Sequence, residues 1–495
     1  MTLSAVAAGL ARAQRRGDDV EVVDATHDSS QVGPDWLFCA IPGSRADGHD
    51  HAPAAVARGA IALLVERWLD LPVAQVRVPS VRSAAGPAAA VVHGDPSHHL
   101  TVVGVTGTNG KTTTVYLLEG AFAAAAVGTG IIGTVETRIH GTTEPGVRTT
   151  PEGTDLQRLM HTMHLRGVDA VAMEVSSHGL DLHRVDGTRF AVAVYTNLSQ
   201  DHLDWHGSME AYFAAKARLF TRELSRRGVV HLDGPWARRL LTLTEIPVVT
   251  LGHDGDAEVR IVDEVVDVHG GRATLAFPDR ELAISTTLPG SFNLANAATA
   301  VVAAIAAGVP DQAAAAGVAA CPGAPGRFER IDAGQTFTVL VDYAHTPDAV
   351  AHVVVTVRAL LDEGARLIVV LGCGGDRDRD KRAPMGAAAA QADIAVLTSD
   401  NPRSEDPQRI LDAMLLGARK ALAAGAPAEL VAEPDRHKAI AIALDRAEPG
   451  DAVVIAGKGH ESGQEFADHT VPFDDRHVAR DLIARSAGRL RGGAA

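Results

Sequence analysis

Short runs of apolar, often β-branched residues alternate with amphipathic or alanine-rich stretches along most of the chain. TVVGV (101–105) runs into a glycine-rich turn, and TTTVYLLEGAFAAAA (112–126) follows it with the length and composition of a buried helix. VDAVAMEV (168–175) and FAVAVYTNL (190–198) repeat the apolar run, again with helical segments between. Continuous apolar strands separated by helices are what a parallel sheet covered on both faces requires. Four more such runs follow, TFTVLVDYA (336–344), RLIVVLGC (366–373), ADIAVLTSD (392–400) and DAVVIAGKG (451–459), each closing on a polar or glycine-rich turn. They predict a second α/β unit with its ligand chemistry at the carboxyl ends of the strands. The first hundred residues are more mixed. MTLSAVAAGLARAQRRGDD (1–19) reads as an amphipathic helix, and HAPAAVARGAIALLVE (51–66) as a helix followed by a strand. GDPSHHL (94–100) and CPGAPGRFER (321–330) carry the Pro and Gly density of boundaries.

These patterns predict an α/β protein of three domains, 1–98, 99–325 and 326–495, in line with 495 residues at about 150 per domain. The central domain is expected to hold a parallel-rich sheet covered on both faces. Hydrophobic residues at 46% and charged residues at 22% are those of a globular chain. The net charge of −15 repels nucleic acid and anionic membranes, so neither is an expected partner. No apolar run is long enough to cross a bilayer, and the start lacks the order of a secretory signal. Cys39, Cys321 and Cys373, odd in number and far apart, fit free thiols in a reducing cytoplasm. Only six lysines stand against 40 arginines, so each lysine marks a place where a compact, deprotonatable amine could matter. Four of them, Lys111, Lys216, Lys381 and Lys458, fall in the polar segments described next.

The strongest local signal is the run GVTGTNGKTTT (104–114), a strand, a glycine-rich turn and a helix start. Glycines let the backbone approach a phosphate, and the helix N-terminus adds a favourable dipole. Lys111 is then expected to neutralise terminal phosphates and the Thr112 hydroxyl to face Mg²⁺. The spacing departs from the generic P-loop, because Val105 stands where its first glycine belongs. Glu174 ends an apolar strand, where a carboxylate beside a phosphate loop suits a Mg²⁺ ligand. Asp201, His202, Asp204 and His206 crowd the turn after the next strand; metal binding, nucleotide contact and loop capping all fit them. Lys216 sits ten residues further on, among alanines and aromatics, where spacing alone favours a snorkelling side chain. In the last third, Asp342 and His345, the GCGGDRDRDKR turn (372–382), Asp400–Asn401–Arg403 and Glu461 all stand at strand ends. Arginine forks bind carboxylates and acidic groups bind ammonium, so these turns suit a zwitterion such as an amino acid.

GTNGKTT, EVSSH, TNLSQDHLDWHG, NLANAATA, GRFE, DYAHTP, GCGGDRD, DNPR and GKGHE occur in order between residues 107 and 461. Together they resemble the ATP-dependent Mur ligases of peptidoglycan synthesis, and among them the diaminopimelate-adding (MurE) type. The resemblance covers the central and C-terminal thirds well and the first domain less well. It implies an N-terminal domain for the UDP end of the substrate, a central P-loop ATPase with a parallel-rich sheet, and a Rossmann-like C-terminal domain for the incoming amino acid, with closure between them.

Matched motif by motif, the resemblance assigns ATP binding to Gly107, Thr108, Asn109, Gly110, Lys111, Thr112 and Thr113, with Asn296, Arg327 and Asp342 as further nucleotide contacts. It assigns Mg²⁺ to Thr112, Glu174 and His202. Lys216 matches the family's carbamylated lysine, which reverses the reading from spacing: CO₂ on a neutral amine makes an anionic carbamate able to hold a second Mg²⁺, and arginine cannot react so. Lys111, His202 and Lys216 are thereby the catalytic set. Ser29 matches a uridine contact, and Thr149, Thr150, Ser176 and Arg184 match positions that hold the muramoyl dipeptide. Arg377 and Arg403 match residues for the distal carboxylate of diaminopimelate, with Asp400, Asn401, Gly457 and Glu461 holding the same end.

The implied activity is ATP-dependent addition of meso-2,6-diaminopimelate to UDP-N-acetylmuramoyl-L-alanyl-D-glutamate through an acyl phosphate, by a cytoplasmic monomer. The LL isomer stays open, as does a sister ligase that adds L-lysine. A P-loop ATPase switch that forms no bond is the alternative from another class, and it leaves the C-terminal Arg, Asp and Glu turns unexplained. Three departures from the family pattern stand out: Ser30 replaces an arginine, Leu182 a smaller or amide residue, and HLDGPW (231–236) an Asn/Asp turn.

Overall fold

The computed structural model describes residues 1–43 and 46–492; the last three residues of the expected third domain lie outside it. The protein is mixed α/β, with a five-stranded, an eleven-stranded and a six-stranded sheet and a small two-stranded ribbon. The chain forms two compact units. One comprises Met1–Asp263, Ala273–Ser285 and Ala295–Cys321, the other Glu264–Arg272, Thr286–Leu294 and Pro322–Ala495.

In the first unit, the sheet built from residues 14–77 is parallel except for Gln14–Arg16, which pairs antiparallel at one edge. The opening helix is shorter than its pattern predicted. It spans Leu3–Ala8, capped by the Thr2 hydroxyl, and Gly9 ends it; the polar residues beyond form the edge strand instead. The expected linker at 94–100 is a structured 3-10 turn, Pro96–His98, in which Ser97 is buried and accepts the Arg189 N–H at 2.9 Å.

The heart of the large sheet is Thr129–Ile132, Ala170–Glu174, Thr101–Thr106, Val192–Tyr195, Gly228–His231 and Val248–Gly252, side by side and parallel. All but the last are fully or almost fully buried, as expected for strands covered on both faces. The helix Lys111–Ala124 packs on Asp311–Ala320 glycine to glycine: a Cβ on Gly317 would stand 2.2 Å from the Gly120 carbonyl oxygen. Two antiparallel strands, Glu136–Ile139 and Thr142–Pro145, extend one edge. Their half-buried and exposed residues carry no apolar run, so the sequence pattern misses them.

In the second unit, all four apolar runs of the last third form strands, Thr338–Asp342, Leu367–Cys373, Ile394–Ser399 and Ala452–Ala456, parallel to one another. Their order puts Ala452–Ala456 between Thr338–Asp342 and Leu367–Cys373, with Ile394–Ser399 and Glu429–Ala432 beyond. Asp342 aligns with Ala456, Leu371 with the same residue, and Cys373 with Ser399, so four polar turns leave one edge of this Rossmann-like sheet. A fully buried ion pair, Arg436 with Asp475 at 2.6 Å, braces that edge from behind. The Arg436 guanidinium also donates to the Ser399 and Ala456 carbonyls, the last residues of two of the strands. The three cysteines are buried thiols outside any disulfide, and burial pushes those of Cys39 and Cys373 up to about 12.

Candidate active site

In the first unit, the turn after Thr101–Thr106 is pinned against the neighbouring strand end. The Asn197 side chain accepts the Asn109 N–H at 3.0 Å and donates to its carbonyl at 3.1 Å. The Thr196 hydroxyl donates to the same carbonyl at 2.7 Å, and that of Thr108 to Ser199 at 3.1 Å. Glycine is required twice in this turn. Gly107 has φ +154°, and a Cβ there would stand 1.9 Å from Thr196 Oγ1; Gly110 has φ +86°, and a Cβ there would stand 2.3 Å from Asn296 Oδ1. The helix then starts at Lys111, with Thr112 and Thr113 buried on its first turn. The backbone therefore presents a tight cradle at a helix N-terminus, the arrangement that binds phosphate.

Glu174 ends the adjacent strand and is 1% exposed. Its carboxylate accepts from the Thr112 hydroxyl at 3.0 Å, the Thr134 N–H at 2.8 Å and the Thr134 hydroxyl at 3.1 Å. A buried carboxylate meeting a helix-start hydroxyl beside a phosphate cradle is a donor set of hard oxygens, suited to Mg²⁺. Lys111 curls over the turn and donates to the Gly107 and Thr108 carbonyls at 2.9 and 2.8 Å. Lys216, on the helix Met209–Ala217, is 1% exposed and donates to the same Gly107 carbonyl at 2.8 Å. Its ammonium lies 4.5 Å from the centre of the Tyr212 ring. Burial first, and Lys111 second, push its pKa well below the ordinary lysine value.

His202 takes a left-handed conformation, φ +51°, at the start of a short helix. Its ring lies 3.4 Å from the Asp201 carboxylate and edge-on to His178, with ring centres 4.7 Å apart. Burial lowers its pKa, opposed by Asp201 and reinforced by His178, Lys111 and Lys216. The shift favours the neutral imidazole, the form that can ligate a metal.

Thr149, Thr150, Ser176 and Arg184 come together beside Glu174. The Thr150 hydroxyl is 3.1 Å from that of Ser176 and donates to the Glu174 carbonyl at 3.1 Å; the Thr149 hydroxyl is 2.9 Å from that of Thr134. Arg184 donates to the Thr150 carbonyl at 3.2 Å and pairs with Glu152 at 2.8 Å. Glu152, which sequence reasoning missed, also pairs with Arg148 at 2.8 Å and Arg82 at 3.0 Å. Three cations around one carboxylate leave a net positive surface fit for an anionic substrate. Arg148 stands four residues before Glu152, but Arg82 and Arg184 come from distant segments of the chain, so no local pattern reveals the cluster. Ser29 is half-buried on a turn next to the Asx turn in which Ser30 donates to Asp28.

In the second unit, Asp342 accepts the Phe328 and Ala344 N–H groups, each at 2.8 Å. Burial raises its pKa, and Arg327 acts in the opposite sense. The Arg327 guanidinium stacks 4.4 Å over the Tyr343 ring, with its Nε buried and unpartnered. Along the same sheet edge, Asn401 donates to Glu461 at 2.8 Å. Gly457, φ +112°, leaves room beside Asp400. Lys458, also missed from sequence, is fully buried and reaches Asn401 at 3.0 Å, Glu461 at 3.2 Å and Asp400 at 3.4 Å. Its survival as lysine in an arginine-rich chain was the signal that could have found it. Arg403, at φ +52°, donates to the Gly375 carbonyl at 2.9 Å and pairs with Glu465 at 2.7 Å; Arg377 is exposed on the adjoining turn. Two carboxylates offset by one buried lysine, with arginines alongside, form a surface that takes both an ammonium and a carboxylate.

Residues 105–304 match the family model described as the Mur ligase middle domain, 326–459 the Mur ligase glutamate ligase domain, and 23–102 the Mur ligase family catalytic domain. The chain is 48% identical over 481 residues to the UDP-N-acetylmuramoyl-L-alanyl-D-glutamate–2,6-diaminopimelate ligase of Streptomyces avermitilis, covering 95% of this chain and 94% of the relative. It is 49% identical over 477 residues to the ligase of the same name from Streptomyces coelicolor, covering 94% of each. A solved structure of a ligase of that name matches with a TM-score of 0.71 at 33% identity, covering 94% of this chain and 95% of its own. The MurF ligase of Thermotoga maritima in complex with ADP shares the fold at 18% identity, with a TM-score of 0.61 over 96% of this chain and 100% of its own.

Proposed function

The chain belongs to the Mur ligase family, and from that premise we propose that it joins meso-2,6-diaminopimelate to UDP-N-acetylmuramoyl-L-alanyl-D-glutamate at the cost of ATP. It is an ATP-dependent, amide-forming ligase of peptidoglycan precursor synthesis. The observation that carries the choice of amino acid is the cluster of Asp400, Asn401, Glu461 and buried Lys458 with Arg403 and Arg377 alongside. The carboxylates receive the distal ammonium of diaminopimelate and the arginines its distal carboxylate; Gly457 gives the ligand backbone access. L-lysine lacks that carboxylate and would forgo the arginine contacts that bind it.

A carboxylate and an amine at neutral pH do not condense unaided, so ATP supplies the leaving group. In the proposed sequence, the γ-carboxylate of D-glutamate attacks the γ-phosphorus of ATP and releases ADP. The amine of diaminopimelate then attacks the acyl phosphate, and the tetrahedral intermediate expels phosphate as the amine loses its proton. Gly107 to Thr113 cradle the phosphates, and Lys111 neutralises charge as it passes to the leaving oxygen. Asn296, Arg327 and Asp342 contribute to nucleotide binding. Thr149, Thr150, Ser176 and Arg184 hold the dipeptide, and Ser29 the uridine end. Mg²⁺, when bound by Thr112, Glu174, His202 and the carbamate of Lys216, supplies further charge neutralisation on the phosphates. The depressed pKa of Lys216 supports carbamylation, because only a neutral amine adds CO₂. The division into a UDP-binding domain (1–98), an ATP-binding domain (99–325) and an amino-acid-binding domain (326–495) belongs to the same proposal, as does a cytoplasmic monomer serving cell-wall growth, cell shape and division. No described helix is long and apolar enough to cross a membrane.

The test is product identification. Purified protein with Mg-ATP, the UDP-muramoyl dipeptide and meso-diaminopimelate should give, by mass spectrometry, the dipeptide plus one diaminopimelate less one water. Unchanged dipeptide in the presence of ATP hydrolysis would overturn the proposal.

A further inference from the structure

His231 and His253 leave the carboxyl ends of two adjacent parallel strands, Gly228–His231 and Val248–Gly252, and Asp233 stands on the turn after the first. A ligand atom from each lies within 4.8 Å of the other two. Asp233 Oδ2 is 2.9 Å from His231 Nε2 and 2.9 Å from His253 Nδ1. His231 is buried, whereas Asp233 and His253 are exposed, so the cluster opens to solvent on one side.

The tautomer of His231 can be assigned. The single hydroxyl hydrogen of Thr299 is donated to the Ala295 carbonyl at 2.7 Å, one helical turn back. Thr299 Oγ1, 3.1 Å from His231 Nδ1, must therefore accept, and Nδ1 carries the proton. In the neutral ring this leaves the Nε2 lone pair aimed at a carboxylate oxygen, acceptor against acceptor. Either a second proton or a cation has to lie between them. A ring fixed through its other nitrogen by a hydrogen bond is also how protein sites orient a metal-binding imidazole.

We propose that His231 Nε2, Asp233 and His253 Nδ1 form a binding site for one divalent transition-metal ion of the zinc class, outside the nucleotide machinery. Two imidazoles and one carboxylate, with water as a fourth ligand, are a zinc donor set and a poor one for Mg²⁺, which takes oxygens. Tetrahedral zinc with bonds of about 2.0–2.1 Å needs ligand atoms about 3.3 Å apart. The Asp233 oxygen, 2.9 Å from each nitrogen, has to open by a few tenths of an ångström, and the two nitrogens, within 4.8 Å of one another, have to settle at the same spacing. A metal here ties two strand ends, through His231 and Thr299, to the helix segment that also carries Asn296. It acts as a brace for that segment.

The test uses the full-length protein, dialysed against chelator and titrated with ZnCl₂ alone, without nucleotide. Calorimetry and metal analysis are run on the wild type, His253→Ala and Asp233→Asn, whose changes are at exposed positions and leave the fold intact. Cobalt(II) substitution gives a second readout, since a tetrahedral N/O site has visible ligand-field bands. The expected result is one zinc equivalent and tetrahedral cobalt bands in the wild type, both lost in the two variants. Thr299→Val, which removes the acceptor of the Nδ1 proton, should weaken zinc binding by about 10- to 100-fold. Zinc stoichiometry and cobalt spectra that are the same in wild type and His253→Ala, or no zinc bound by the wild type, would overturn the site and leave an imidazolium–carboxylate pair.

Discussion

Lys111 and Lys216 donate to one oxygen: the Gly107 carbonyl accepts from the first at 2.9 Å and from the second at 2.8 Å. Two ammonium groups on one acceptor repel, and burial, with Lys111 second, holds the Lys216 pKa well below the ordinary lysine value. In the proposed function a neutral amine at this position is what adds CO₂, and arginine cannot stand in for it. Lys216→Arg is expected to lower turnover by on the order of 100-fold or more, because a guanidinium stays charged and forms no carbamate. Steady-state rates of the wild type in CO₂-depleted buffer should rise on adding bicarbonate, and those of the variant should not. A fully active Lys216→Arg enzyme would remove the carbamate from the account.

Lys458 is expected to organise the amino-acid site. Lys458→Met strips the buried counter-charge from Asp400 and Glu461 and the anchor from Asn401. Leaving such groups unmatched costs about 3 kcal/mol. The expected result is a lower melting temperature and a raised KM for diaminopimelate, with KM for ATP unchanged. An effect spread equally over both substrates would contradict a local role.

Arg403 is expected to set discrimination rather than turnover. Arg403→Ala removes one of the two arginines proposed for the distal carboxylate, while its partner Glu465 stays half-solvated. The ratio of kcat/KM for meso-diaminopimelate to that for L-lysine should fall by about 100-fold, mainly through loss of the former. An unchanged ratio would move the specificity elsewhere.

His460 gives a pH dependence with a fixed sign. Its ring lies tilted against Tyr343 with centres 5.2 Å apart, its Nδ1 is buried without a partner, and burial, with Arg327 second, pushes its pKa down to about 4. The unfolded value is about 6.5, so between pH 6.5 and 4 the unfolded chain binds a proton that the folded chain refuses. Its contribution to stability is complete above pH about 6.5 and lost as pH falls toward 4, by at most about 3 kcal/mol. Urea unfolding at pH 7.5 and 5 should show a smaller loss in His460→Asn than in the wild type.

The sequence made the sheets and the phosphate turn legible because both are written locally. Apolar runs mark strands buried on two faces, and Gly107 and Gly110 sit where a Cβ would strike Thr196 and Asn296. The edge strands Glu136–Ile139 and Thr142–Pro145 were illegible, because solvent-facing strands need no apolar pattern. The first helix was over-read, since polar residues after Gly9 fit a helix face as well as the edge strand they form. Lys216 could not be told from a snorkelling lysine by spacing; its burial and its bond to Gly107, 109 residues away, are tertiary facts. The same holds for Glu152 among its arginines and for His231 opposite His253, whose meeting depends on strand order.

The most direct measurement is phosphate release with Mg-ATP and UDP-N-acetylmuramoyl-L-alanyl-D-glutamate, comparing meso-diaminopimelate, LL-diaminopimelate and L-lysine. The account predicts rapid turnover with meso-diaminopimelate and little above background with lysine. Equal rates with lysine would contradict the arginine-based choice of substrate, and release indifferent to any amino acid would contradict the ligase itself.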